Sequence, residues 1–387
     1  MSGVIVVVSP YAGEYGPPRT LEHVARAVVL AGYEPVCVVR SPAQVTDKLR
    51  ASGVRVRVVP QLSTFPRTVN PIRMGLFFRQ HLSAADVIRK LAREERALAV
   101  YSISEAILCG GVAARSLRIP SLVHVIGMSI ATPRVTARLY LRLLDSVTSQ
   151  FVACSSAAAD MLSGLGISDE KIVVAHNAIP IALIQSTEGT SVPLIADGQK
   201  IGMIAAYDPR KGHELFVNAA AEIARRFPTA RFYIIGGTLP AHLESEAFER
   251  SIDALIRSHG LADRFERPGY VPLPEVYTWM RSFDVVVVPS RTEAFAHAVI
   301  EAMACGKPVV ATAVEGNLDA FIHGESGLYT EERSSAVAAA VCELLADPGE
   351  AAAIGARARE RAELYFDESV TLPAVADTIV HLIEREE

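Results

Sequence analysis

The chain of 387 residues has no apolar run approaching the roughly 20 residues that a membrane-spanning helix requires. None of its segments is therefore expected to cross a bilayer. Cysteine is scarce. The five, at positions 37, 109, 154, 305 and 342, are odd in number, scattered and free of CxxC spacing, which excludes a disulfide framework and a cysteine-rich zinc site. The opening MSGVIVVVSP lacks a basic leader and a long apolar core, so it reads as a first strand and not as a signal peptide. Reduced thiols and a cytoplasmic location are the expectations that follow. Internal repeats and low-complexity tracts are absent too.

What is present is the composition of a globular protein, 50% hydrophobic and 21% charged. The length exceeds one ordinary core and suits two domains. A net charge of −5 hides a division. Through residue 185 there are 20 Lys and Arg against 12 Asp and Glu, a net of +8; from 186 onward there are 18 against 31, a net of −13. Such opposed halves imply different surfaces. The basic excess includes Arg134, Arg138 and Arg142, four apart and so on one helical face, and a second group at Arg89, Lys90, Arg93 and Arg96. Two accounts stay open for them: a solvated helix surface, or attraction to an anionic membrane face or an acidic acceptor.

Apolar runs of strand length alternate with amphipathic segments throughout. VIVVVS, PVCVV, VRVVP, LAVYSI, SLVHVIG, FVACS and KIVVAH read as strands in the first half, and IGMIAA, RFYIIGG, FERPGY, DVVVVPS, PVVATAV and GLYT in the second. Continuous Val and Ile runs belong to strands buried on both faces, as in a parallel sheet. The fold expected is therefore α/β, with two doubly wound Rossmann-like domains at 1–185 and 199–366. The polar stretch IALIQSTEGTSVPLIADGQ, near 181–199, reads as the linker. The tail 367–387 has helical periodicity, with Asp367 as its cap, and is expected to pack back on the first domain.

In open α/β sheets ligands bind beyond the carboxyl ends of the strands. At such an end lies EAFAHAVIEAMACGKPVV, following FDVVVVPS. Glu293 stands in the turn and Glu301 further along the helix that Gly306 stops. The amides of Phe295, Ala296 and His297 open that helix, where unpaired N–H groups and the positive dipole end favour phosphate. A diphosphate with a sugar at each end suits this layout.

The arrangement resembles the retaining family-4 glycosyltransferases of the GT-B fold, in which two Rossmann-like domains face a central cleft and two glutamates are separated by seven residues. Four further stretches carry the likeness in order: VVAHNAI, DPRKGHELFVNAAAEI, ERPGYVPLPEVYTWMRSFDVVVVPS and KPVVATAVEGNLDAFIHGESGLY. The resemblance implies that Lys211, and Arg210 beside it, meet a donor diphosphate, that Glu293 holds the transferred sugar and that Glu301 holds the nucleotide ribose. Backbone groups around Tyr270 and Val271 would cradle the base. The loop SPYAGEYGPPRTLEHVA, with Gly13 and Gly16, would approach donor and acceptor. His297 would line the donor pocket.

No DxD pair occurs in the sequence, so neither a metal nor any other cofactor is expected. The donor would be a nucleoside-diphosphate sugar, UDP-linked by family frequency. The acceptor stays open among a secondary metabolite, a lipid-linked sugar and a surface polysaccharide. Peripheral contact with the inner membrane face through the basic half is part of the expectation; a nucleic-acid partner is not. Three departures from the family pattern stand out. Ala206 replaces an arginine, alanines occupy 294 and 296 where glycines are usual, and Ile126 takes the place of a histidine. His124, two residues earlier on the same strand face, is the candidate substitute, with a buried structural histidine as the competing account. A sugar-nucleotide binder without catalysis, an epimerase and a phosphorylase are the other functions open to this fold.

Overall fold

A computed structural model describes residues 3–11, 17–66, 70–127, 134–192, 198–238 and 243–386. Gly13 and Gly16 lie outside them. The chain divides into two compact units, residues 1–178 with 368–387, and residues 179–367.

The first unit is built on a seven-stranded sheet whose pairings are all parallel. Its strands are β1 (Val4–Ser9), β2 (Glu34–Val39), β3 (Arg55–Val58), β4 (Ala97–Ile103), β5 (Ser121–Val125), β6 (Gln150–Ala153) and β7 (Ile172–Val174), in the order β3-β2-β1-β4-β5-β6-β7. Each overlaps one of the apolar runs of the sequence, with β2, β3, β4 and β6 starting one residue earlier. Helices α1 (Pro17–Leu30), α2 (Gln44–Ala51), α3 (Pro71–Glu94), α4 (Cys109–Leu117), α5 (Arg134–Asp145) and α6 (Ser156–Gly164) connect them. The central strands are apolar on both faces because a core lies on each. Ile5 and Val7 enter one core with Leu21, Val24 and Val28; Val6 and Val8 enter the other with Ala84 and Ile88.

The second unit repeats the plan with a six-stranded parallel sheet. Its helices begin with α7 (Ile181–Ser186), and its strands are β8 (Lys200–Ile204), β9 (Arg231–Ile235), β10 (Phe265–Gly269), β11 (Val285–Val288), β12 (Val309–Thr312) and β13 (Leu328–Thr330). They run in the order β10-β9-β8-β11-β12-β13. The remaining helices are α8 (His213–Arg226), α9 (Leu243–Ser258), α10 (Leu273–Ser282), α11 (His297–Ala304), α12 (Ser334–Ala346), α13 (Pro348–Tyr365) and α14 (Glu368–Glu386). The last belongs to the first unit. Val375, Ile379, Leu382 and Ile383 of α14 join the core under α1, and Arg26 of α1 pairs with Glu368 at 2.5 Å.

The stretch read as a linker is partly structured. Helix α7 occupies residues 181–186, and Arg281 of α10 donates from Nη2 to the Ile184 carbonyl at 2.7 Å. An arginine satisfying the last carbonyls of a short helix holds it against its unit, so the second unit begins at Ile179 rather than at 199. None of the five cysteines is in a disulfide, and all are buried. Among the described residues no helix is long and apolar enough to cross a membrane.

Candidate functional site

The strand order of the second sheet reverses between β8 and β11, which makes the loops after these two strands the natural ligand-binding edge. The loop after β8 carries Lys211 and the loop after β11 carries Glu293. They meet: Lys211 Nζ lies 2.6 Å from Glu293 Oε1, with the lysine side chain 33% and the glutamate 11% exposed. Ser290 Oγ donates to the same oxygen at 2.8 Å, and Thr312 Oγ1, at the end of β12, donates to the Ser290 carbonyl. A charged pair is thus anchored by hydroxyls from two strand ends.

The backbone dictates this closeness. The Arg291 amide donates to the Arg210 carbonyl at 2.7 Å, tying the two loops together. Gly212 adopts φ +76, and a Cβ there would stand 1.8 Å from the Pro289 carbonyl oxygen. Only glycine permits both the left-handed turn and the approach. Gly316 plays the matching part after β12, where a Cβ would meet the Glu293 and Ala294 carbonyl oxygens at 2.1 and 2.4 Å. Three loops therefore converge on Glu293.

Helix α11 begins beside this pair. Ala296, its N-cap residue, has φ −78, so alanine fits there without strain. Its amide donates to Asn317 Oδ1 at 3.3 Å. Of the three amides expected to face a phosphate, that of Ala296 thus already has an acceptor within the protein, a correction to the expectation. Phe295 and His297 flank it, the phenyl ring buried and the imidazole half-buried. One turn on, Glu301 is 3% exposed and accepts from Tyr277 Oη of α10 at 3.4 Å. The two glutamates therefore differ sharply in setting. Glu293, largely buried in its loop, pairs with a cation, and Glu301, buried in the helix layer, faces a phenol.

Other expected residues fall elsewhere. Arg210, the expected companion of Lys211, grips Asp208 through Nε and Nη2, with Nη2 2.6 Å from Oδ2. Burial opposes ionisation of Asp208, but Arg210, through its guanidinium and its amide, outweighs it and holds the carboxyl below its ordinary range. Tyr270 is exposed and Val271 buried directly after β10, at the same end of the sheet.

His124 is a correction of a different kind. It is 2% exposed on β5, with Nδ1 3.1 Å from Tyr101 Oη. Burial, aided by the nearby His23, pushes it down to about 3. A neutral imidazole held inside the first unit matches the structural account, and we assign it no ligand contact. Ser290, Asn317 and Tyr277 were not singled out by the sequence. Ser290 had a visible signal, since it closes the apolar run of β11; the other two are long-range partners without one.

The fold and this edge define the class. In solved structures, the chain resembles a glycosyltransferase from Rickettsia africae, with a TM-score of 0.81 and 18% identity over 100% of this chain and 98% of that one. It also resembles Anabaena Alr3699/HepE in complex with UDP-glucose, with a TM-score of 0.77 and 20% identity over 97% and 99% of the two chains. Both are GT-B folds, and so is this one. Family profiles give the particular assignment: "Glycosyl transferases group 1" matches residues 190–361 and "Glycosyl transferase 4-like domain" matches residues 15–178. The chain belongs to the group 1 glycosyltransferases. Among curated relatives, it is 38% identical over 149 residues to a D-inositol 3-phosphate glycosyltransferase of Frankia alni, covering 36% of this chain and 35% of that protein. Against the Thermobispora bispora protein of the same name it is 33% identical over 196 residues, 50% of this chain and 45% of that one. The chain spans about half the length, or less, of the curated relatives it matches.

Proposed function

We propose that this chain is a retaining, metal-independent transferase that moves a sugar from a nucleoside-diphosphate sugar, UDP-linked, to an acceptor hydroxyl. The observation that carries the reading is the Lys211–Glu293 pair at 2.6 Å beside the start of α11. A diphosphate brought to this edge meets one ammonium and the N-terminal end of a helix, both suited to the charge that gathers on a leaving phosphate. Glu293, displaced from Lys211 by that phosphate, is placed to accept hydroxyls of the transferred sugar. Glu301 is the carboxylate for the ribose diol, and Tyr277 holds its orientation. The anomeric C–O bond breaks with the electron pair going to the diphosphate, and the acceptor oxygen bonds on the face the diphosphate leaves. The acceptor proton passes to the departing phosphate oxygen, so no protein nucleophile is required. The solved complex with UDP-glucose supports a uridine donor, and the names of the curated relatives support a small polyol phosphate among acceptors to test.

The test is incubation of the EDTA-treated protein with a panel of UDP-, GDP-, ADP- and TDP-sugars and acceptors, with the anomeric configuration of the product read by NMR. An inverted product, or loss of turnover on chelation, would refute the stated mechanism. A second reading, a sugar-nucleotide binder without transfer or an epimerase, draws on one observation: Ala206 carries no charge, and Arg210 is held by Asp208. An epimer formed from the UDP-sugar alone would select the epimerase.

A further inference from the structure

We propose that helices α3 and α5 seat the first unit on an anionic lipid bilayer. On α5, Val135, Leu139 and Leu143 recur every four residues and are 70%, 60% and 40% exposed, while Ala137, Tyr140, Leu141 and Leu144 are buried. The outward face of this helix thus carries an apolar stripe of its own. Arg138 and Arg142 lie beside the stripe and are exposed. Helix α3 meets α5 through Phe77 and Tyr140, whose ring centroids are 6.1 Å apart, and it exposes Ile72, Leu76 and Leu82 together with Arg73 and Arg79.

Charge makes the choice of occupant. Neither residues 48–85 nor residues 106–144 contain a single Asp or Glu. The next basic group along α3 behaves differently: Arg89 and Lys90 both pair with Asp86. No carboxylate on α3 before Asp86, or on α5 before Asp145, is there to neutralise Arg73, Arg79, Arg138 and Arg142, and Asp145 itself holds Lys171 at 2.8 Å. A second copy of the chain placed on this face about a twofold axis would oppose arginine to arginine. A nucleic acid would leave the leucines without a partner. A bilayer surface with anionic headgroups satisfies both, hydrocarbon for the apolar stripe and phosphates for the guanidinium groups. The surface deepens the transferase reading by naming a membrane-borne acceptor, and only that last step rests on the reading.

Flotation of the full chain with phosphatidylcholine vesicles, with and without phosphatidylglycerol, tests it. Binding is expected to the anionic vesicles and to weaken as salt rises. Arg138→Ala with Arg142→Ala should lower the partition by about 25-fold, at about fivefold per arginine. Leu139→Ser with Leu143→Ser should lower it by about tenfold or more. All four positions are exposed, so melting temperature and UDP affinity should stay at wild-type values. Absence of vesicle binding, or equal binding by both variants, overturns the proposal. A dimer in solution that the leucine variant dissolves overturns it in favour of a second copy. Failure of UDP binding with vesicle binding intact would instead sink the donor-site reading and leave the membrane surface standing.

Discussion

Lys211→Met keeps the aliphatic stem and removes the ammonium, and its consequences separate for the free and the nucleotide-bound protein. In the free protein Lys211 loses an ion pair with Glu293 whose lysine is 33% exposed, and Ser290 Oγ still donates to the same carboxylate oxygen at 2.8 Å. A partly exposed pair with a surviving hydroxyl partner contributes about 1 kcal/mol or less. The melting temperature should therefore fall by no more than about 4 °C. In the bound protein a charge-assisted hydrogen bond to phosphate disappears, worth about 1.5–3 kcal/mol, which is about a 10- to 150-fold rise in Kd. Isothermal titration with UDP, and with uridine as a control lacking phosphate, measures the second; a thermal melt measures the first. Uridine affinity should not move. If UDP binds within about twofold of wild type, or if uridine weakens as much as UDP, Lys211 is a structural lysine and the diphosphate site is misplaced.

Glu301→Ala should weaken UDP binding and cost stability, because it opens a hole beside Tyr277 and removes a carboxylate that accepts from the phenol; Glu293→Ala should chiefly lower kcat while leaving UDP affinity within a few fold. Titration and initial rates distinguish the two, and equal, negligible effects would refute both roles. Gly212→Ala forces a Cβ to 1.8 Å from the Pro289 carbonyl at φ +76, so it should destabilise the second unit by about 1–3 kcal/mol in denaturant melts and weaken UDP binding as the Lys211 turn shifts. His23 is buried, with its ring pushed down to about 4 by burial first and by Arg26 second. A base held neutral in the fold loses stability as pH falls from about 6.5 towards 4, since the unfolded chain takes the proton first. Over that window His23→Leu should flatten the fall of stability with acid by about 1.4 kcal/mol per pH unit. Glu105, raised to about 7 chiefly by burial, works in the opposite sense, so the comparison is made between the two proteins and not against a flat baseline.

How far the sequence could be read depended on whether an interaction was local. The central strands were legible because a parallel sheet between two helix layers leaves them as uninterrupted apolar runs, as in VIVVVS and VVVV; edge strands such as β3 (RVRV) and β10 (FERPG) carry charged residues and were legible more from their place in the alternation. The site's frame was legible for the same reason: Lys211 and Glu293 each follow an apolar run by a few residues, and the switch-point rule needs only the strand order to bring two such loops together. What the sequence concealed was the choice among polar partners. Arg210 looks equally available to a phosphate or to Asp208, two residues away, until its Nε and Nη2 are seen on that carboxylate. Asn317 lies 21 residues from Ala296, and its amide oxygen takes an N–H that a count of helix-start donors assigns to the ligand. Tyr277 and Glu301 are 24 residues apart on different helices. Each of these is a pairing of polar atoms that hydropathy cannot see, and each reduces the number of groups left for a donor. On the proposed reading, the charge that gathers on a departing diphosphate falls chiefly to one ammonium, that of Lys211. That is why Lys211→Met, rather than either glutamate variant, is the substitution on which the reading stands or falls.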